Sequence, residues 1–151
     1  MRRSLFALVS VTVIALATMG ALTRGDTAPL PTVTVYKSAS CGCCAKWVEH
    51  LKAAGFPVEV HDVADASEYA DNSGVPVALR SCHTAIVKGY AIEGHVPADL
   101  IKKLLIEQPK IAGLAVPGMV TGSPGMEGNR KDPYDVMAWS SNHTTSVYAK
   151  R

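Results

Sequence analysis

The chain has 151 residues, 48% of them hydrophobic and 19% charged, with a formal net charge of +2. That length holds one compact domain and is short for two, and the composition is globular rather than disordered. Setting aside Arg2 and Arg3 at the extreme start leaves 13 basic residues against 13 acidic ones, so no basic stripe remains to hold nucleic acid through its phosphates.

Met1-Arg2-Arg3 precedes a run from Leu5 to Leu22 that carries no charged side chain. Ala15-Leu16-Ala17 closes an apolar stretch of signal-peptide length with a small-x-small cleavage pattern. The same run is just long enough for an uncleaved anchor, although Ser10, Thr12, Thr18 and Gly20 dilute it. Residues 1–22 therefore read as a signal peptide or N-terminal anchor, residues 23–31 as a tether, and residues 32–151 as the exported working domain. Nothing else in the sequence marks a membrane segment.

Thr32 to Tyr36 is a β-branched and aromatic run that predicts a strand. Three cysteines follow at once, Cys41, Cys43 and Cys44, and then Trp47, Val48, Leu51 and Ala54 recur at helical spacing before Gly55, a natural helix stop. Pro57 to Val63 alternates as a second strand, and residues 64–73 suit a short helix and loop. Thr84–Val87 and Tyr90–Ile92 flank Lys88-Gly89, which predicts a hairpin. Leu100, Ile101, Leu104 and Leu105 make a helix bounded by Pro97 and Pro109. Beyond it come a Gly/Pro/Met-rich loop at 113–128, a strand at Tyr134–Trp139, and a pairing segment at Thr144–Tyr148. The order predicts an α/β, thioredoxin-like domain, with a βαβ start, a ββα finish and a C-terminal extension of loop and strands.

The cysteines sit where a strand hands over to a helix. Cys41 and Cys44 have C-x-x-C spacing at a helix N-terminus, where free N–H groups and the helix dipole favour thiolate. That is the physics of a dithiol oxidoreductase, and Cys43 is surplus to it. Export also invites structural disulfides, but vicinal Cys43 and Cys44 can scarcely bridge each other, and Cys82 alone is left for a second pair. A soft metal uses the surplus better. Cys82 lies just before the third strand, whose start should face the turn, and can supply a fourth sulfur. Structural zinc sites usually draw their ligands as two separated pairs. Three sulfurs on one turn more easily bridge several Cu(I) ions, which ranks copper above zinc.

Further candidate ligands are His83 and His95, with Met119 and Met126, each of which follows a Pro-Gly pair. His83 reads also as a hydrogen-bond donor to a ligand, or simply as a strand residue. His95, in a strand-to-helix turn placed at the opposite end of the hairpin strand, reads equally as a helix cap. The methionines suit Cu(I) as weak soft ligands, or simply fill a packed turn. His50 lies seven residues beyond Cys43, roughly 10 Å along a helix, out of reach of the same ion. His61 and His143 read as solvated, and Trp47 as core packing that shields the site.

Four ordered stretches carry a family resemblance: SASCGCCAKW (Ser38–Trp47), SCHTA (Ser81–Ala85), IEGHVP (Ile92–Pro97), and GLAVPGM with GSPGME between Gly113 and Glu127. Together they resemble the CopG-type copper-resistance proteins over about Thr32 to Trp139. The resemblance implies a periplasmic, thioredoxin-like domain that binds copper through Cys41, Cys43, Cys44 and Cys82. It also implies service in copper tolerance, with copper ions and other periplasmic copper-handling proteins as partners, and extends to interconversion of Cu(I) and Cu(II). Ser140 to Arg151 matches none of it. The rival expectation is a periplasmic thiol–disulfide oxidoreductase acting on proteins through Cys41 and Cys44.

Overall fold

In a computed structural model that describes residues 28–151, the first β-branched run is strand β1 (Val33–Lys37). The expected signal or anchor segment, and most of the tether, lie outside the described residues. Side chains of β1 alternate, with Val33, Val35 and Lys37 buried, as period-2 geometry requires of a strand with one packed face. Helix α1 (Gly42–Ala53) crosses back to β2 (Val58–Asp62), which pairs parallel with β1. After α2 (Ser67–Asn72) and a 3-10 turn at Val77–Leu79, strand β3 (His83–Val87) pairs antiparallel with β1 on its other side. Strand β4 (Tyr90–Glu93) completes the hairpin. Its turn residues Lys88 and Gly89 both take positive φ, +50° and +83°, as two-residue hairpins prefer.

Helix α3 (Ala98–Glu107) leads to β5 (Gly113–Ala115), parallel to β4, followed by antiparallel β6 (Asp135–Trp139) and β7 (Thr145–Lys150). The result is a mixed α/β fold with one seven-stranded sheet in the order β2-β1-β3-β4-β5-β6-β7. The parallel βαβ start and the β3–β4–α3 finish stand as the element order predicts. Strand β5 corrects the reading of 113–128 as loop throughout. Three apolar residues are too short a run to signal a strand, yet all three of β5 are buried. β5 makes the C-terminal extension continuous with the sheet, and Thr145–Lys150 joins it as the edge strand.

Helices α1 and α3 pack on one face of the sheet. There Trp47, Val48, Leu51, Ile101 and Leu104 meet Val33, Val35, Ala85, Ile92 and Leu114. Burying each of the Val, Leu and Ile side chains contributes about 1.5–3 kcal/mol. On the other face α2 and the 3-10 turn place Ala70, Val75 and Leu79 with Ala91, Ala115 and Trp139. Pro97, at the start of α3, has no side chain to cap the helix; instead the Ala98 N–H donates to His50 Nε2 of α1 at 3.0 Å. The histidine cap therefore belongs to His50, and it ties the two helices together. No helix among the described residues is long and apolar enough to cross a membrane.

Candidate metal centre

Strand β1 delivers the chain into the turn Ser38–Ser40, held from below by Lys37. This lysine is only 7% exposed, and its Nζ donates to Asp62 Oδ1 at 2.7 Å and to Ser38 O at 3.2 Å. Cys41 then stands at the N-cap of α1, where its sulfur accepts from the Cys44 N–H at 3.3 Å. Sulfur here takes the place usually filled by a Ser or Asp oxygen, and the helix dipole would favour the thiolate once this sulfur is reduced. Cys41 and Cys44 are joined as a disulfide, while Cys43 and Cys82 are free thiols. Cys43 Sγ lies 3.6 Å from Cys41 Sγ, and Cys82 Sγ lies 3.4 Å from Cys44 Sγ. All four sulfurs fall within 4.8 Å of one another, with the start of β3 bringing Cys82 to the turn as its sequence position predicts. Cys44 is buried and the other three are partly exposed.

His95 is not at the far end of the hairpin. Antiparallel pairing returns the end of β4 to the beginning of β3, where the Gly94 N–H donates to His83 O at 3.0 Å. Gly94 turns the chain there at φ +66°; a β-carbon on it would sit 2.6 Å from the Ser81 side chain and 2.8 Å from Val116 O. The next residue, His95, has Nε2 at 3.2 Å from Cys82 Sγ. Its Nδ1–H donates to Pro124 O at 2.7 Å, which leaves Nε2 as the lone-pair nitrogen facing the thiol. His83 Nδ1 lies 3.4 Å from the same sulfur, and its buried Nε2 has no hydrogen-bond partner. The His83 ring packs on Trp47 at 4.4 Å and edge-on to His95 at 5.2 Å. Trp47 Nε1–H donates to Val96 O, so the residue read as a shield also fixes the turn that bears His95.

Burial, reinforced by nearby His95, pushes the His83 pKa down to about 3. Burial also lowers His95, against the opposing pull of Pro124 O and Glu127. Both imidazoles are thus neutral, with nitrogen lone pairs available. Burial and the neighbouring Cys43 push the Cys82 thiol up to about 11, so an arriving cation must displace its proton.

The two methionines ride on loops anchored at this site. Met119 is 59% exposed, beside Gly118, whose carbonyl accepts from the Ser81 hydroxyl. Met126 is half-buried and follows Gly125, which has φ +85°. A β-carbon at Gly125 would lie 2.7 Å from Cys43 O, 2.8 Å from Trp47 N and 3.3 Å from His95 Nδ1. Glycine here lets the loop lie directly on the helix N-terminus and the imidazole. The remaining histidines stand apart. His61 is exposed, stacking on Tyr36 and pairing with Glu59, and His143 takes positive φ in the exposed β6–β7 turn.

One residue that sequence reasoning passed over is central. Glu93 is 1% exposed; its Oε1 accepts from the Ser81 N–H and its Oε2 from the Thr84 hydroxyl, each at 2.7 Å. The carboxylate thereby grips both residues that flank Cys82-His83. Burial raises its pKa, while those two hydrogen bonds and the charge on Arg80 pull the other way. Within the sequence it was one more position at a strand end, and only its pairing opposite Thr84 reveals the clamp. Glu93→Ala should destabilise the chain by about 3 kcal/mol, because the buried Thr84 hydroxyl and the partly buried Ser81 N–H lose their acceptor. Glu93→Gln, which keeps an oxygen for Ser81, should lose less than half of that in denaturant melts. Equal losses in the two variants would show that the clamp does not act through these bonds.

A family model described as "Protein of unknown function, DUF411" matches residues 79–126. No curated protein matches. Among solved structures, "Copper resistance protein copG- Form 2" is 46% identical with a TM-score of 0.77, the alignment covering 82% of this chain and 99% of that one. "Copper resistance protein copG- Form 1" is 45% identical at a TM-score of 0.76, covering 81% and 98%. Such identity over nearly the whole length of those proteins, joined to a cysteine cluster able to hold a metal, makes this chain a member of the CopG-type family of copper-resistance proteins.

Proposed function

We propose that the chain is an exported, periplasmic protein of copper resistance that holds several Cu(I) ions on the thiolates of Cys41, Cys43, Cys44 and Cys82. The observation that carries this reading is the convergence of four sulfurs within 4.8 Å, three of them from one helical turn. Thiolates select Cu(I), and sulfurs this close can bridge neighbouring ions. His83 and His95 border Cys82, and with the loop methionines Met119 and Met126 they would extend the ligand set. Reducing the Cys41–Cys44 disulfide, with two electrons and two protons, restores the full thiol set. Run the other way, oxidation of that dithiol releases two electrons and two protons, enough to convert two Cu(II) to two Cu(I). The protein can thereby change copper's valence as well as store it. The test is anaerobic Cu(I) titration of the reduced chain, with expected uptake of more than one ion per chain. Failure to hold Cu(I) against a moderate chelator would sink the proposal.

The Cys41–Cys44 disulfide also favours a second reading, thiol–disulfide exchange with protein substrates. That activity would reduce insulin, and it would survive Cys43→Ser and Cys82→Ser, which the copper reading predicts to be damaging.

A further inference from the structure

We infer that Cys82, His83 and His95 form, while Cys41 and Cys44 are joined as a disulfide, a three-donor site for one divalent late-transition ion such as Zn(II) or Co(II). The inference shares Cys82 and the two bordering histidines with the copper reading but does not require a Cu(I) cluster. Metal ligation by cysteine is thiolate chemistry, so the disulfide withdraws Cys41 and Cys44 from the sulfur set. What remains around Cys82 is different in kind. The Cys82 sulfur and one nitrogen of each of His83 and His95 lie within 4.8 Å of one another. Cys43 belongs only to the sulfur group.

One thiolate with two imidazoles is a borderline donor set, which suits Zn(II), Co(II) and Cu(II) better than hard cations. The surroundings are those of a built site. His95 donates its other ring N–H to the Pro124 carbonyl, the outer-shell bond that fixes tautomer and ring orientation in metal-ligating histidines. His83 is 1% exposed and held between Trp47 and His95. Glu93 holds the Ser81 N–H on one side of Cys82-His83 and the Thr84 hydroxyl on the other. Cys82 itself is partly exposed, so an ion can enter, and three protein ligands leave a fourth position open.

The test uses the full chain with Cys43→Ser in its disulfide form, so that Cys82 is the sole free thiol. Titration with Co(II) should give one ion per chain, with a near-ultraviolet thiolate-to-cobalt charge-transfer band and visible d–d bands that Zn(II) abolishes. Cys82→Ser should lose the charge-transfer band. His95→Gln should weaken Co(II) binding by about tenfold or more, and circular dichroism of each variant establishes that it is folded. No charge-transfer band in the Cys43→Ser chain, or a band that persists in Cys82→Ser, overturns the inference. Cu(I) uptake by the reduced wild-type chain is counted in parallel, so the two readings fail separately.

Discussion

Replacing Cys82 by Ser is expected to abolish Cu(I) loading of the reduced chain as a whole, not to trim it by one ion. Cys82 is the one sulfur that comes from the segment just before β3 rather than from the turn at α1, and it stands 3.4 Å from Cys44 Sγ. In a bridged cluster each sulfur serves more than one ion, so removing the sulfur that closes the far side leaves its neighbours under-coordinated. Cys43→Ser should act in the same way from the turn side, where Cys43 Sγ lies 3.6 Å from Cys41 Sγ. Both thiols are partly exposed, and serine is nearly isosteric, so the fold should survive each change. In competition with a Cu(I) chelator the apparent affinity should fall by roughly 100-fold or more, about 2.7 kcal/mol. Ion counts decide the matter. Loss of one Cu(I) with the others retained at wild-type affinity would mean independent sites and would sink the bridged arrangement. Insulin reduction undiminished in both variants, with no copper bound by either the variants or the wild-type chain, would return the protein to disulfide exchange.

How much of this was legible in the sequence follows from the range over which each signal acts. Trp47, Val48 and Leu51 announced α1 because helical periodicity is local, and Lys88-Gly89 announced its hairpin because a two-residue turn is chemically restrictive. The four cysteines were legible through crowding and chain order. β5 was not, since three buried residues carry no period and depend on β4 and β6 for their hydrogen bonds. His95 was named as a candidate ligand but placed at the wrong end of the hairpin, because its 3.2 Å distance to Cys82 Sγ is set by antiparallel register, which sequence spacing does not display. Glu93 escaped for the same reason: its partners lie across the hairpin. The cap supplied by His50 to α3 spans 48 residues and has no local signature at all. Non-local pairings thus account for each element missed or misplaced around the site.

Acid should unfold the metal-free chain, and the descent should begin near pH 6.5. His50, His83 and His95 are all lowered from 6.5, in each case chiefly by burial. A lowered histidine binds its proton more readily in the unfolded chain. Its contribution to stability is therefore fully present above pH 6.5 and is lost as pH falls through the folded-state value. For His83 that window runs from 6.5 down to about 3, at about 1.4 kcal/mol per unit, for a total on the order of 5 kcal/mol. His50 and His95 add in the same direction. His50 is only half-buried, faces Glu127 and Asp99, and must stay neutral to accept from Ala98. Glu93 opposes them, since its raised carboxyl pKa makes the folded chain the better proton binder just above pH 4.5, so part of the loss is recovered there. Thermal melts of the metal-free disulfide form should show a midpoint nearly level from pH 8 to 7 and then a steady fall below pH 6.5. His83→Gln should be less stable at pH 7 yet show a shallower pH slope, because the largest titrating contribution has gone. A midpoint unchanged between pH 7 and 4, or a slope untouched by His83→Gln, would refute the assignment. The same burial that makes the fold acid-sensitive keeps the His83 and His95 lone pairs free beside Cys82, so stability at low pH is given up where the chain gathers its donor atoms.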